Sequence, residues 1–177
     1  IEDKKRVPLN IALVIDRSGS MSGPRLQAAK TASSQVVGGL ETGDVISVVA
    51  FDSSIATVAE SQVISEENRE TIMSAIRQIR PGGSTNLAGG WLFGAECVAR
   101  DQRPGMRNRV ILLSDGHANV GIVDPEELGK RARGLLERGI TTTCVGIGDG
   151  YSNLQLEALS RYGGGNLHDA EFSREIA

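Results

Sequence analysis

Aromatic residues are scarce in this chain of 177 residues, with three Phe, two Tyr and one Trp. Cysteine is scarcer still. Cys97 and Cys144 are too few for a disulfide-stapled scaffold. Cys97 falls in a helical pattern and Cys144 in the strand-like run Thr141-Thr142-Thr143-Cys144-Val145-Gly146-Ile147, where a free thiol behaves as a small buried hydrophobe, so the pair leaves the compartment open. No apolar run approaches the roughly 18 residues of a membrane span, which excludes membrane insertion by this segment. The 19 basic and 22 acidic residues are scattered, for a net charge of −3, and no basic block exists to track phosphates. Nucleic acid is therefore excluded as a partner. There is no Gly-x-x-x-x-Gly-Lys-Ser/Thr loop for a nucleotide and no Gly-x-Ser-x-Gly elbow for a serine nucleophile. Neither a signal peptide nor an initiator methionine opens the chain, so residues 1–177 are expected to be a single domain trimmed from a longer protein.

What is present is an alternation of two patterns. Strand-like runs lie at Leu9–Ile15, Val45–Phe51, Ile55–Ala59, Arg109–Leu113, Ile140–Ile147 and Gly165–Asp169. Most are unbroken Val/Ile/Leu runs, as expected of strands covered on both faces. Helical spacing separates them. Pro24 opens one helix, with Leu26, Ala29, Ala32 or Ser33, Val36 and Leu40 on one face. Asp124-Pro125-Glu126-Glu127 opens another with an N-cap, a first-turn proline and a capping-box glutamate, and Gly139 ends it. Further helices are predicted over Ser65–Ile79, Asn86–Arg100 and Ser152–Tyr162. The alternation predicts a doubly wound α/β domain: a mostly parallel sheet, helices on both faces, and one antiparallel edge strand made by a tight turn at Asp52-Ser53-Ser54.

Against this background Asp16-Arg17-Ser18-Gly19-Ser20 stands out, because it puts a carboxylate and two hydroxyls at alternate positions of a loop leaving a buried strand. An aspartate there must be paired, hydrogen-bonded or bound to a cation, and a divalent metal is the natural candidate. Two other segments offer oxygens. Gly82-Gly83-Ser84-Thr85-Asn86 precedes a helix, and Ser114-Asp115-Gly116 ends a buried strand. Ligands of open α/β sheets bind where strand order reverses, so Asp16 and Asp115 converge if their strands are neighbours there.

Asp16-x-Ser18-x-Ser20, the later Thr85 and Ser114-Asp115-Gly116 together resemble the metal-ion-dependent adhesion site of the von Willebrand factor type A domain family. The resemblance runs from Pro8 to about Asp169, and Ile-Asp-Arg-Ser-Gly-Ser-Met-Ser-Gly looks most like bacterial members. It implies a Rossmann-like fold in which Ser18 and Ser20 bind a cation directly while Asp16, Thr85 and Asp115 bind directly or through water. An open coordination position would take a partner's aspartate or glutamate. Two carboxylates and small hydroxyl donors suit Mg²⁺ or Mn²⁺ better than Ca²⁺, which prefers more carboxylate and carbonyl ligands.

Blander readings stand beside these. Ser18 and Ser20 could cap the next helix, Asp16 could be a strand-end residue that accepts backbone hydrogen bonds, Thr85 could be the N-cap of the helix near Asn86 with Ser84 the competing donor, and Asp115-Gly116 could simply start a turn. His117 could overhang the site or be a solvated loop residue, and His168 has no partner pattern. Gly146-x-Gly148-x-Gly150 lacks dinucleotide spacing, and Trp91 reads as a packing anchor. Met21, Ser22, Asn86, His117, Asn119 and the loop from Gly148 to Asn153 would form a rim poor in large aromatics, suited to a modest or transient interface. The expected function is a non-catalytic, metal-dependent protein-binding module. The alternatives are a regulatory domain of an ATP-driven chelatase-type complex, a metal-assisted hydrolase, and a domain whose metal is purely structural.

Overall fold

The structure, a computed structural model, describes residues 6–148 and 153–170. Its six strands are β1 (Leu9–Asp16), β2 (Val45–Phe51), β3 (Ile55–Val63), β4 (Arg107–Ser114), β5 (Ile140–Gly146) and β6 (Gly164–Asp169). They form one sheet in the order β3-β2-β1-β4-β5-β6. All neighbours are parallel except β2 and β3, which are antiparallel. The five helices are α1 (Pro24–Gly39), α2 (Glu66–Arg77), α3 (Leu87–Arg100), α4 (Pro125–Glu137) and α5 (Asn153–Tyr162). This is the predicted doubly wound α/β architecture with one antiparallel edge.

The unbroken apolar strands exist because each face meets a helical layer. In β1, Ile11, Leu13 and Ile15 pack with α1 and α2, including Leu26, Val36, Ile72 and Ile76. The alternate residues Ala12 and Val14 pack with α3, α4 and α5, through Trp91, Leu128, Ala132 and Leu159. Side chains of a strand alternate between faces, so a strand sandwiched this way can carry no polar alternation. Cys97 and Cys144 are free and buried in the second of these cores. Trp91 is fully buried there and donates its indole N–H to the Thr142 hydroxyl at 3.1 Å, as befits a packing anchor.

Local signals set the helix ends. Pro24 is at the start of α1, and Asp124 caps α4 by accepting from the Glu127 amide. Glu127 itself pairs with Arg131 at 3.4 Å, so its side chain serves the ion pair instead of the expected capping box. Ser65 and Asn68 form a full capping box on α2. β3 runs to Val63, beyond the predicted Ala59, because an edge strand with an exposed face tolerates Glu60, Ser61 and Gln62. Ser152, predicted to begin the last helix, and Gly150 of the glycine-spaced run lie outside the described residues.

The strand order reverses between β1 and β4. β1 returns toward β2 and β3 on one side, and β4 leads to β5 and β6 on the other. The carboxyl ends of this adjacent pair, Ile15 opposite Leu113, place Asp16 and Asp115 at the same edge of the sheet.

Candidate metal centre

Asp16 ends β1 fully buried. Its Oδ1 accepts from the Ser18 amide at 2.8 Å and its Oδ2 from the Ser114 hydroxyl at 2.7 Å. Burial pushes its carboxyl pKa up, and the negative Asp115 adds to that rise, although the Ser18 and Ser114 hydrogen bonds oppose it. Ser114 is itself held, since its hydroxyl accepts from the Gly116 amide at 2.9 Å. Ser114, in sequence only a member of the Ser114-Asp115-Gly116 motif, clamps the ends of β1 and β4 together.

Asp115, also fully buried, accepts from the His117 amide at 3.1 Å and pairs with Arg25 Nη1 at 3.3 Å. Ser18 is buried and Ser20 exposed, with their hydroxyl oxygens 3.2 Å apart. The single 3-10 turn Gly19–Met21 follows Ser18, and no side-chain capping hydrogen bond accompanies it. The helix-capping reading of these serines therefore fails.

Thr85 is buried and Ser84 exposed. The α3 cap is Asn86, whose side chain accepts from the Gly89 amide at 3.0 Å, so Thr85 is not the helix cap. Thr85 is instead laced to the segment after β4. Its amide donates to Asn119 Oδ1, and its carbonyl accepts from the amides of Asn119 and Val120. On the other side, the Gly19 amide donates to the Gly83 carbonyl and the Gly82 amide to the Arg17 carbonyl. Backbone hydrogen bonds thus join the three donor-bearing loops at the switch point.

One residue that the sequence presents only as part of a tight turn organises this lacing. Asp52 accepts from the Gly83 amide, from the amide and hydroxyl of Ser54, and from Arg17. A Cβ at Gly82 would lie 2.1 Å from Asp52 Oδ2, so only glycine admits the carboxylate there. Burial works against the Asp52 charge, but the amides of Gly83 and Ser54, the Ser54 hydroxyl and Arg17 outweigh it and hold the carboxyl at about 2.

The expected rim needs one correction. Met21 is fully buried in the α1 and α2 core, because the turn after Ser20 directs it inward as an apolar plug. Ser22, His117 and Asn119 are exposed and Asn86 half-buried. Residues 149–152 of the Gly148 to Asn153 loop lie outside the described residues. His168 sits in edge strand β6, opposite Val145.

The donor chemistry fits a hard divalent cation. Two wholly buried carboxylates face the cost of desolvation with one partly exposed guanidinium beside them, and three hydroxyl residues stand on the same loops. Asp16 and Asp115 would carry the charge, with Ser18, Ser20 and Thr85 supplying neutral oxygens.

Comparison with known proteins agrees with the fold. The family model described as von Willebrand factor type A domain matches residues 10–174. An uncharacterized protein of Synechocystis sp. is 31% identical over 163 residues, covering 92% of this chain and 38% of that protein. The inter-alpha-trypsin inhibitor heavy chain H3 of Mesocricetus auratus is 30% identical over 165 residues, covering 89% of this chain and 19% of that one. The chain thus spans well under half the length of these relatives. Among solved structures, von Willebrand factor type A from Catenulispora acidiphila superposes with a TM-score of 0.78 at 26% identity, covering 96% of this chain and 42% of that one. Proximal thread matrix protein 1 from the mussel byssus, solved with a zinc-occupied MIDAS motif, gives 0.73 at 23% identity, covering 96% and 46%. With a family model spanning nearly its whole length and a sheet whose strand order reverses between β1 and β4, this chain belongs to the von Willebrand factor type A domain family.

Proposed function

We propose that the chain is a metal-dependent protein-binding module of the bacterial type within its family and one domain of a longer protein. Asp16, Ser18, Ser20, Thr85 and Asp115 would hold Mg²⁺ or Mn²⁺ as a complete metal-ion-dependent adhesion site. The observation that carries the reading is the pair of fully buried carboxylates at the ends of adjacent β1 and β4, flanked by hydroxyl residues on interlaced loops. When bound, the ion supplies a positive charge that takes a carboxylate oxygen from a partner. The residues do the rest. Asp16 is pinned by Ser18 and Ser114, so its side chain is already ordered and loses little further rotamer entropy when an ion binds. The exposed Ser22, His117 and Asn119 would choose among partners bearing a suitable aspartate or glutamate.

The mussel protein's zinc-occupied motif supports the placement of a metal in this fold, and the inter-alpha-trypsin inhibitor heavy chains support a role outside catalysis. The module is read as non-catalytic because nothing in the donor loops besides His117 offers a neutral-pH general base. Calorimetric titration with Mg²⁺ and Mn²⁺ tests the site. The protein should bind one ion, and Asp16→Ala should abolish that binding. Wild-type affinity in Asp16→Ala would refute the assignment, and metal-dependent hydrolysis of ester, peptide or phosphoester substrates that vanishes in Asp115→Ala would replace the binding module with an enzyme.

A further inference from the structure

Arg25, the second residue of α1, pairs with a donor carboxylate of the candidate centre. Its Nη1 lies 3.3 Å from Asp115 Oδ2 and 3.4 Å from the Ser20 carbonyl oxygen. The Asp115 side chain is wholly buried and the Arg25 side chain 37% exposed, so the guanidinium spans from solvent to the buried carboxylate. Its flank rests on Gly148, where a Cβ would come within 2.7 Å of Arg25 Nε and where φ is +84°. A side chain at Gly148 would therefore displace the guanidinium and strain the backbone.

Charge arithmetic gives this contact a consequence. Asp16 and Asp115 together balance a divalent ion. The guanidinium charge of Arg25 is then left over, and the loaded centre carries a net positive charge. The same charge opposes the ion's approach to Asp115 and favours an incoming anion. We propose that Arg25 sets the working charge of the centre: it weakens the metal site in order to strengthen capture of a carboxylate. This rests on the metal-site reading above. A merely structural Arg25 would weaken both bindings when lost, whereas a charge-setting Arg25 moves them in opposite directions.

The test measures Mn²⁺ binding by the loss of the free-ion paramagnetic resonance signal, then acetate binding to the Mn²⁺-saturated protein by water-proton relaxation. Arg25→Met should bind Mn²⁺ about tenfold more tightly, the scale of one nearby charge tempered by solvent. It should also bind acetate several-fold more weakly. Arg25→Lys, which keeps the charge, should stay near the parent in both, and Arg25→Gln must show the same signs as Arg25→Met should the latter not fold. Unchanged or weaker Mn²⁺ binding in a folded neutral variant, or acetate affinity equal to the parent's, overturns the inference while leaving the metal site standing. Parent protein that binds no Mn²⁺ defeats the metal-site reading itself and this inference with it.

Discussion

Asp52 shows how one carboxylate can align loops distant in sequence. It reaches the Gly83 amide 31 residues away and Arg17 35 residues away, and through them the segments carrying Ser18 and Thr85. Its folded carboxyl, at about 2, lies below the ordinary aspartate value of the unfolded chain. The sign follows directly: the stabilisation is present above about pH 4 and is lost as the pH falls through about 2. Asp52→Asn should therefore cost roughly 2 kcal/mol in urea unfolding at neutral pH. The gap between the two proteins should close as the acid limit is approached, and a gap independent of pH would mean that the loss is one of shape and not of charge.

At the scale of elements, two glycines of α3 make room for side chains of the sheet. A Cβ at Gly90 would sit 2.5 Å from the Phe51 ring and one at Gly94 would sit 2.4 Å from Val14 Cγ2. These glycines, one turn apart, are the groove into which the β1 and β2 side chains fit. Two effects compete in Gly94→Ala: helix propensity improves by up to about 1 kcal/mol, and overpacking costs about 1–3 kcal/mol. Overpacking should win because both partners are buried, and the variant should unfold at lower urea. Gly134→Ala in α4 is the control, since its Cβ would meet nothing within 4 Å. That variant should be stabilised by about 0.5–1 kcal/mol. A Gly94→Ala protein as stable as Gly134→Ala would show that α3 can lift off the sheet freely.

For the whole molecule, metal and folding are linked through the switch point. An ion that binds only the folded state should raise the midpoint of thermal unfolding, by the equivalent of about 2.7 kcal/mol at a hundredfold excess over its dissociation constant. A chelator should reverse the gain, and Asp16→Ala and Asp115→Ala should show none of it. A midpoint indifferent to Mg²⁺ and Mn²⁺ in the parent would count against the site. Much of this molecule is legible in the amino-acid sequence because the relevant physics is local. Continuous apolar runs mark strands covered on both faces, Pro24, Ser65 and Asp124 mark helix starts, and oxygen-rich loops after apolar runs mark the candidate donors. Local patterns do not report strand order. Only the fold makes β1 the neighbour of β4, which lets Ser114 reach Asp16 across 98 residues and Arg25 reach Asp115 across 90. The inward turn of Met21 and the gathering of loops around Asp52 escaped the sequence for the same reason: each depends on long-range packing, to which residue periodicity is blind.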